Sequence, residues 1–268
     1  MQRSILIVDD HDVLATAIEE VFTQMGHRVV LVEDQKAALE SGNIEDFDLV
    51  ISDLDIGNAT EAALKNGAAR MCVPDLTACR PADHVRAFKV CAANYQREGF
   101  DEKQLRELLA IVLDYKIRFV DKIDVVKDLH EYIEFELPSA ITLMHIVLEY
   151  LLKRVEKLGV VRAEQSNLFV ALDEAFVNAV KHGNKYDSDK LVRIMASITR
   201  EEARFTIEDE GEGFDVHNIP DPLDPENLFK TSGRGVLFIY NIMDEVKYNE
   251  RGNRLTMIKR SDDSEAKV

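Results

Sequence analysis

The chain has 268 residues, of which 46% are hydrophobic, and its formal net charge is −17 at pH 7. This length and apolar content suffice for one large core or two ordinary ones, and two domains are the better expectation. The acidic balance argues against a nucleic-acid surface, because phosphate binding needs clustered Lys and Arg. We therefore expect a protein partner or a small ligand.

The sequence favours a cytoplasmic protein without membrane contact. The apolar run in the opening "MQRSILIVDD" is too short for a signal peptide, and the uncharged stretch 137–148 is too short to cross a bilayer. Cys72, Cys79 and Cys91 lack the spacing of a metal site and leave an odd thiol in any disulfide scheme. We interpret them as reduced thiols of the core.

The first hundred residues alternate short apolar runs with helical stretches. Strands are predicted at "SILIVD", "RVVLV", "DLVIS" and "MCVPDL", and helices at 12–25, 35–41, 59–66 and 85–90. Such alternation is typical of a parallel sheet with crossover helices. We therefore predict a doubly wound α/β domain.

One helical pattern without Pro or Gly then runs from 101 to about 131. Part of it follows alternating steps of four and three, the spacing of a coiled-coil seam. The seam positions are Leu105, Leu109, Val112, Lys116, Phe119, Ile123, Val126, His130 and Ile133. Two interpretations stay open: a parallel homodimer through this connecting helix, or a helix packed on its own sheet and then on the second domain.

The second region mixes strands and helices and predicts a two-layer α/β sandwich with a mixed sheet. It opens with the strand "IEFELPS", and two helices follow at 142–158 and 163–182. A hairpin at 191–199 and 203–209, a helix at 235–243 and a last hairpin turned by "NERGNR" complete it. The polar tail from Ser261 is expected to fray.

Within the helix 163–182, the stretch "ALDEAFVNAVKHGNK" carries a polar stripe on an otherwise apolar pattern. Glu174 and Asn178 lie four residues apart, so they share a helix face with Lys181 and His182. A solvated surface stripe is the plain interpretation. A functional one depends on what surrounds the stripe.

Two glycine-rich segments provide such surroundings. In "ARFTIEDEGEGFD" the alternation places Asp209 at the end of an apolar strand face, where burying a carboxylate is costly unless a ligand such as an adenine amino group donates to it. Gly211 and Gly213 follow, and glycine permits close approach of the backbone to a ligand. In "SGRGVLFIYNIM", Gly233 and Gly235 enter a helix and predict a phosphate cradle of backbone N–H groups.

The motifs "DEAFVNAVKHGN", "DEGEGFD" and "SGRGVLFI" together resemble the histidine-kinase-like ATPase superfamily over residues 133–260. Within it, the chain is similar to the anti-sigma-factor serine kinases of bacterial partner-switching systems. The resemblance implies that Asn178 binds the Mg²⁺ of ATP, Asp209 reads adenine and Glu174 is the general base. Lys181, His182 and Arg234 are candidate partners of phosphate charge.

A loop at 214–232 separates the last two glycine motifs. It contains Pro220, Pro222 and Pro225, half of the 6 prolines of the chain, and shows no helical or strand period. Its position and composition predict a lid over the nucleotide.

The N-terminal region carries three carboxylates at predicted strand ends. Asp9 and Asp10 end "ILIVDD", and Asp53 ends "DLVISD". In a doubly wound sheet the carboxyl ends of neighbouring strands converge on one crevice. Three carboxylates there repel one another unless a cation neutralises them, so the sequence predicts a Mg²⁺ site. The plain alternative is that they cap the following helices.

Residues 3–113 resemble a response-regulator receiver domain. The resemblance implies that Asp53 accepts a phosphoryl group, that Asp9 and Asp10 hold Mg²⁺, and that Thr77 in "LTA" senses the phosphoryl oxygen. Tyr95 is the second switch residue, and Phe100 falls in register with the closing motif of the family.

The resemblance fails at one important point. Where receivers carry a Lys followed by Pro, this chain has Glu98 and Gly99, and the neighbouring Arg97 is expected to point to the opposite face of its strand. The segment between Asp53 and Thr77 is also short for a receiver. Phosphorylation of Asp53 and a receiver that signals by docking alone both stay open.

Together these features predict a receiver-like domain at 1–114, a connecting helix at 115–131, an ATPase domain at 132–261 and a polar tail at 262–268. The leading function is an ATP- and Mg²⁺-dependent protein serine/threonine kinase, controlled by the receiver, that phosphorylates an anti-anti-sigma-type (STAS-type) partner. A sensor histidine kinase is a candidate upstream partner. The alternative is a non-catalytic nucleotide-dependent switch that sequesters a sigma factor or another regulator. Glu174 favours the enzyme, because pure binding has no use for a base beside the γ-phosphate.

Overall fold

The computed structural model describes residues 1–10, 13–40, 43–58, 84–97, 99–121, 129–161, 167–215 and 234–261. The chain divides into two compact units, Met1–Pro138 and Ser139–Val268. Among the described residues, every helix is too short or too polar to cross a membrane. The predicted helix 59–66, Thr77, Glu98 and most of the proposed lid lie outside the described residues.

The described residues of the first unit form a five-stranded sheet with helices. Its elements are β1 (Ser4–Asp9), α1 (Val13–Gln24), β2 (Arg28–Val32), α2 (Gln35–Glu40), β3 (Leu49–Asn58), β4 (His84–Cys91), α3 (Glu102–Tyr115), a π-helical turn (Lys116–Val120) and β5 (Leu129–Pro138). The strand order is β2-β1-β3-β4-β5. Strand β1 is a central strand, and its residues Ile5, Leu6, Ile7 and Val8 are all fully buried. Such two-sided burial explains why this strand reads as a continuous apolar run.

The predicted α/β class is confirmed, but the sheet of the first unit is mixed and not all-parallel. Strand β1 pairs parallel with β2 and β3, whereas β4 runs antiparallel to β3. The predicted helix at 85–90 is wrong, because these residues belong to β4. A short apolar run fits either a buried strand or a buried helix, and here the pairing of β4 with strands on both sides decides for the strand.

The long helix predicted for 101–131 ends early. Asp101 caps α3 by accepting a hydrogen bond from the N–H of Gln104, at 3.0 Å. The helix continues to Val120 as a π-helical turn, and Leu129–Pro138 is a strand that pairs parallel with β4. A continuous coiled-coil seam to Ile133 is therefore wrong. The strand predicted for "IEFELPS" is present within β5, and its place at the opening of the second region stays a prediction. Leu105, Leu109 and Val112 are buried within the first unit.

The second unit contains the helices and the two hairpins that the sequence predicts. Its elements are α4 (Ile141–Leu158), α5 (Leu168–Val177), a π-helical segment (Asn178–Gly183), β6 (Leu191–Ile198), β7 (Glu202–Asp209), α6 (Arg234–Ile242), β8 (Glu245–Tyr248) and β9 (Arg254–Arg260). The strand order within this unit is β6-β7-β9-β8, with antiparallel pairs throughout.

Alternating burial along β6 and β7 gives the sheet of the second unit one apolar face. Ile194, Phe205 and Met257 on this face are almost fully buried. Because β7 ends in Asp209 and α5 ends in the π-helical segment beside it, the fold brings the two predicted motifs to one edge of the unit.

Candidate functional site

A cavity of about 730 Å³ opens at this edge of the second unit. Its volume falls in the range of small-molecule sites. Its lining includes seven of the predicted site residues, namely Glu174, Asn178, Lys181, His182, Asp209, Gly213 and Gly235. The structure thus brings together residues from the helix, the strand end and the second glycine motif, which lie far apart in the sequence.

The polar stripe faces the cavity because the opposite face of α5 is buried. Ala171, Leu172, Ala175 and Phe176 form that buried face, whereas Glu174 and Asn178 are half-buried. At Asn178 the helix changes to π geometry. Such wide turns are frequent at functional sites. Lys181 and His182, on the π-helical segment, are exposed at the rim. The predicted shared face is therefore present.

Gly235, in the first turn of α6, lies against the carboxylate of Glu174. A Cβ atom built on Gly235 would come within 2.2 Å of Glu174 Oε2, so a larger residue would require the Glu174 carboxylate to move. The glycine thus serves a close approach of helix and carboxylate. Gly233 and the side chain of Arg234 lie outside the described part of the structure, so the phosphate cradle stays a prediction.

Asp209, at the end of β7, has one carboxylate oxygen engaged and one available. Its Oδ1 accepts a hydrogen bond from the N–H of Gly211 at 2.8 Å, and no described residue donates to Oδ2. Partial burial raises the pKa of Asp209, and the Gly211 N–H and the charge of Arg251 only partly offset this effect. A half-buried carboxylate with an open acceptor suits a ligand that donates a hydrogen bond.

Several residues of the cavity were not predicted from the sequence. A Cβ atom on Gly183 would lie 2.3 Å from Cγ of Asp209, so only glycine leaves room for this carboxylate. Phe214 and Tyr248 form an edge-to-face aromatic pair with ring centroids 5.1 Å apart, and both line the cavity. Burial raises the pKa of Tyr248 to about 12, so its hydroxyl stays protonated. This aromatic pair could not be predicted from sequence spacing, because Phe214 follows the glycine motif after β7 whereas Tyr248 ends β8.

In the first unit, Asp9 and Asp53 are register partners on β1 and β3, as the predicted crevice requires. Asp9 is buried, and its Oδ2 accepts hydrogen bonds from the N–H groups of Leu14 and Ala15 at 3.1 and 2.9 Å. Asp10 is exposed and accepts from the N–H of Asp55 at 2.9 Å. The helix-capping alternative therefore describes Asp9. Within the described residues, no group of three metal-ligating side chains is arranged around a metal position, and the Mg²⁺ site of this crevice stays a prediction.

Lys116 brings a cation to Asp53, although the receiver lysine is absent from the sequence. Its ammonium group contacts both oxygens of the Asp53 carboxylate at 2.8 and 2.9 Å, and Asp121 Oδ1 at 3.3 Å. All three side chains are almost fully buried, and the ammonium also lies 4.7 Å from the ring centre of Phe88. Burial raises the pKa of Asp53 to about 6 although Lys116 opposes the shift. Burial alone would lower the pKa of Lys116, but the charges of Asp53 and Asp121 outweigh it and raise the pKa.

Tyr95 is fully buried and held from two sides. Its hydroxyl donates to Gln104 Oε1 at 2.8 Å, and the guanidinium of Arg3 lies 4.1 Å from its ring centre. Arg3 also donates to the carbonyls of Tyr95 and Gly99, at 3.1 and 2.7 Å. Arg97 lies in a turn and donates to the Glu45 carbonyl, so it does not replace the missing receiver lysine.

Comparison with known proteins agrees with both halves of this description. The family of the histidine kinase-like ATPase domain matches residues 137–259, and that of the response regulator receiver domain matches residues 5–65. The serine-protein kinase RsbW of Staphylococcus epidermidis is 28% identical over 142 residues, covering 50% of this chain and 89% of that protein.

Two anti-sigma F factors are more similar over shorter stretches. That of Clostridium perfringens (strain 13 / Type A) is 33% identical over 104 residues, covering 36% of this chain and 73% of that protein. That of Halalkalibacterium halodurans is 39% identical over 88 residues, covering 31% of this chain and 59% of that protein. The chain therefore belongs to the histidine kinase-like ATPase family, among the relatives of RsbW and the anti-sigma F factors, and carries a receiver domain ahead of this ATPase domain.

Proposed function

We propose that the segment 132–261 binds ATP with Mg²⁺ and phosphorylates a Ser or Thr of an anti-anti-sigma-type protein. The observation that carries this proposal is the single cavity lined by Glu174, Asn178 and Asp209. Each of these residues has a separate task in phosphoryl transfer from ATP, and the fold brings them together from α5, the π-helical segment and β7. The serine-protein kinases among the relatives support the same reaction class.

The cavity fits a nucleotide in chemistry as well as size. Asp209 Oδ2, to which no described residue donates, would accept a hydrogen bond from the adenine amino group. Phe214 and Tyr248 offer apolar surface for the base. The exposed Lys181 and His182 lie at the rim, where phosphate charge needs cationic partners. Gly211, Gly213, Gly233, Arg234 and Gly235 complete the proposed nucleotide contacts.

Asn178 and Glu174 are proposed to act on the triphosphate. The amide oxygen of Asn178 is a hard ligand of the kind Mg²⁺ prefers, and Mg²⁺ would neutralise the charge of the phosphates. Glu174 lies one helical turn earlier on the same face and would accept the proton of the attacking hydroxyl. In phosphoryl transfer most of the rate comes from positioning and charge stabilisation, so we assign Glu174 a general-base role of moderate size.

A second candidate function is a nucleotide-dependent switch that sequesters a sigma factor without catalysis. The anti-sigma F factors among the relatives favour it. The two functions differ in the need for Glu174, because a switch requires the nucleotide but no base. In either case we propose that the receiver domain controls the output, through phosphorylation of Asp53 or through docking alone.

Calorimetric titration of the full chain with ATP and Mg²⁺ tests the site. Asp209→Asn should weaken binding at least about tenfold, because a charge-assisted hydrogen bond to the base contributes roughly 1.5–3 kcal/mol. Glu202→Gln, at the other end of β7 and paired with Arg204, is the matched control and should bind as the wild type does. Equal affinity of wild type and Asp209→Asn would overturn the site as described.

A further inference from the structure

The peptide group that follows Asp209 is held on both edges by buried asparagine side chains. The Asp209 carbonyl accepts a hydrogen bond from Asn253 Nδ2 at 2.7 Å. The N–H of Glu210, on the opposite edge of the same peptide group, donates to Asn184 Oδ1 at 2.9 Å. Asn184 and Asn253 are 0% and 6% exposed, so neither amide is satisfied by bulk water. We call these two residues the asparagine clamp.

Further hydrogen bonds fix the orientation of each clamp residue. Asn184 Nδ2 donates to the carbonyl of Leu191 at 2.9 Å, which ties the end of the π-helical segment to β6. Asn253 Oδ1 accepts from Asn249 Nδ2 at 3.0 Å. Asn249 Oδ1 in turn accepts from the backbone N–H groups of 252–254 in the turn between β8 and β9. The amide planes of the clamp are therefore determined by their own partners.

The glycine loop after Asp209 interlocks with the same turn. Arg251 donates to the Gly211 carbonyl at 2.8 Å, and the N–H of Phe214 donates to the Arg251 carbonyl at 3.1 Å. A Cβ atom on Gly213 would come within 1.9 Å of the Arg251 carbonyl oxygen, so a larger residue would separate loop and turn. The clamp thus belongs to a rigid junction between the β8–β9 turn and the cavity.

Strand pairing alone does not require this arrangement. The N–H of Asp209 already donates to the Asn253 carbonyl at 3.0 Å, which continues the β7–β9 ladder. The two asparagine amides hydrogen-bond to the next peptide group, between Asp209 and Glu210, where the chain leaves the sheet. They restrict rotation of this peptide group, which leads directly to Gly211. Rotation of this peptide group would move the Gly211 N–H that holds Asp209 Oδ1, so the carboxylate that lines the cavity would lose its fixed orientation.

We propose that Asn184 and Asn253 are positioning residues that set the base specificity of the nucleotide site by fixing the direction of the Asp209 carboxylate. This inference rests on the proposed function, since it assumes that Asp209 reads the amino group of adenine. Fixed geometry matters here because the strength of a hydrogen bond falls steeply as its angle departs from linear. A loosened carboxylate would still bind triphosphate but would discriminate less well between bases.

The experiment compares ATP with inosine triphosphate, whose base carries an oxygen in place of the adenine amino group. Both affinities are measured by calorimetry on the full chain with Mg²⁺, for wild type, Asn253→Ala and Asn184→Ser. We expect the ratio of the two affinities to fall at least about fivefold in each variant, because part of one charge-assisted hydrogen bond is lost. Asn241→Ala, whose exposed amide donates only within α6, is the control and should keep the wild-type ratio.

The ratio of ATP affinity to inosine triphosphate affinity reports base specificity, and thermal unfolding of the same variants reports stability. A clamp that only stabilises the fold would lower the unfolding temperature and leave the ratio unchanged, and that result would overturn the inference. If one variant does not fold, the other decides, since each holds a different edge of the peptide group. Wild-type protein that binds no ATP would refute the proposed function itself, whereas a selective wild type with unchanged variant ratios refutes only the clamp.

Discussion

Replacing Lys116 by methionine should strongly destabilise the first unit. Methionine keeps the length and much of the volume of the lysine stem, so the substitution removes a charge without opening a large cavity. What remains is a pair of buried carboxylates, Asp53 and Asp121, which are 6% and 8% exposed. Both lie within 3.3 Å of the ammonium that the substitution deletes.

The expected loss is about 3–5 kcal/mol of unfolding free energy, the usual cost of removing one partner of a buried ion pair. Loss of the ammonium over the Phe88 ring, at 4.7 Å, adds roughly 1 kcal/mol. Lys36→Met is the matched control, because Lys36 is 83% exposed and pairs with Glu40 on the surface. Such a surface pair contributes at most about 1 kcal/mol.

Urea unfolding of the full chain, followed by far-ultraviolet circular dichroism, measures the difference. The double variant Lys116→Met with Asp53→Asn should recover a substantial part of the loss, since only Asp121 then stays charged and unpaired. A single Lys116→Met variant that loses less than about 1 kcal/mol would refute the argument, because no buried carboxylate could then depend on Lys116.

Three further predictions concern ionisation, metal-dependent binding and catalysis. The pKa of Asp53 in the folded chain, about 6, lies above the ordinary 3.8, so the folded state binds its proton more tightly. Protonated Asp53 therefore adds on the order of 3 kcal/mol to the unfolding free energy below about pH 4, and this contribution is lost as the pH rises through 6. Asp53→Asn should flatten the pH dependence of the urea-unfolding free energy between these two pH values. In the second unit, Asn178→Ala should weaken Mg²⁺-dependent ATP binding in calorimetry. Glu174→Gln should retain ATP but lose about 10²–10⁴-fold in the phosphorylation rate of an anti-anti-sigma-type protein, and wild-type rates in this variant would favour the sequestering switch.

Local patterns in the sequence predicted the elements and much of the cavity. The stripe of Glu174 and Asn178 depends only on helical spacing, and the position of Asp209 depends only on strand alternation, so both followed from short windows of sequence. The hairpins were equally accessible, because their strands are adjacent in the chain. The same local logic failed for 85–90, where an apolar run of strand length was interpreted as a helix.

Contacts between distant residues could not be predicted in this way. The clamp residues reach Asp209 and Glu210 across 44 and 26 positions, through side-chain amides that hydrogen-bond to the backbone. An asparagine in a turn has many ordinary uses, and nothing in the sequence distinguishes these two. The role of Lys116 could not be predicted either, because the helical spacing assigned this residue to a coiled-coil seam. Its ion-pair partner Asp53 lies 63 positions away in the sequence.

In the first unit a cation contacts Asp53 although the lysine of the receiver motif is absent. Where receivers carry a lysine after their last strand, this chain has Glu98 and Gly99, yet a cation reaches the carboxylate of Asp53 from the helical turn Lys116–Val120. The predicted crevice needs positive charge because carboxylates converge there, and any element that can deliver an ammonium satisfies the need. Because this cation lies in the turn that ends α3, the charge of Asp53 and the position of that turn are coupled through the buried ion pair. Lys116 also contacts Asp121, so a neutral Asp53 would weaken the attachment of the turn without releasing it.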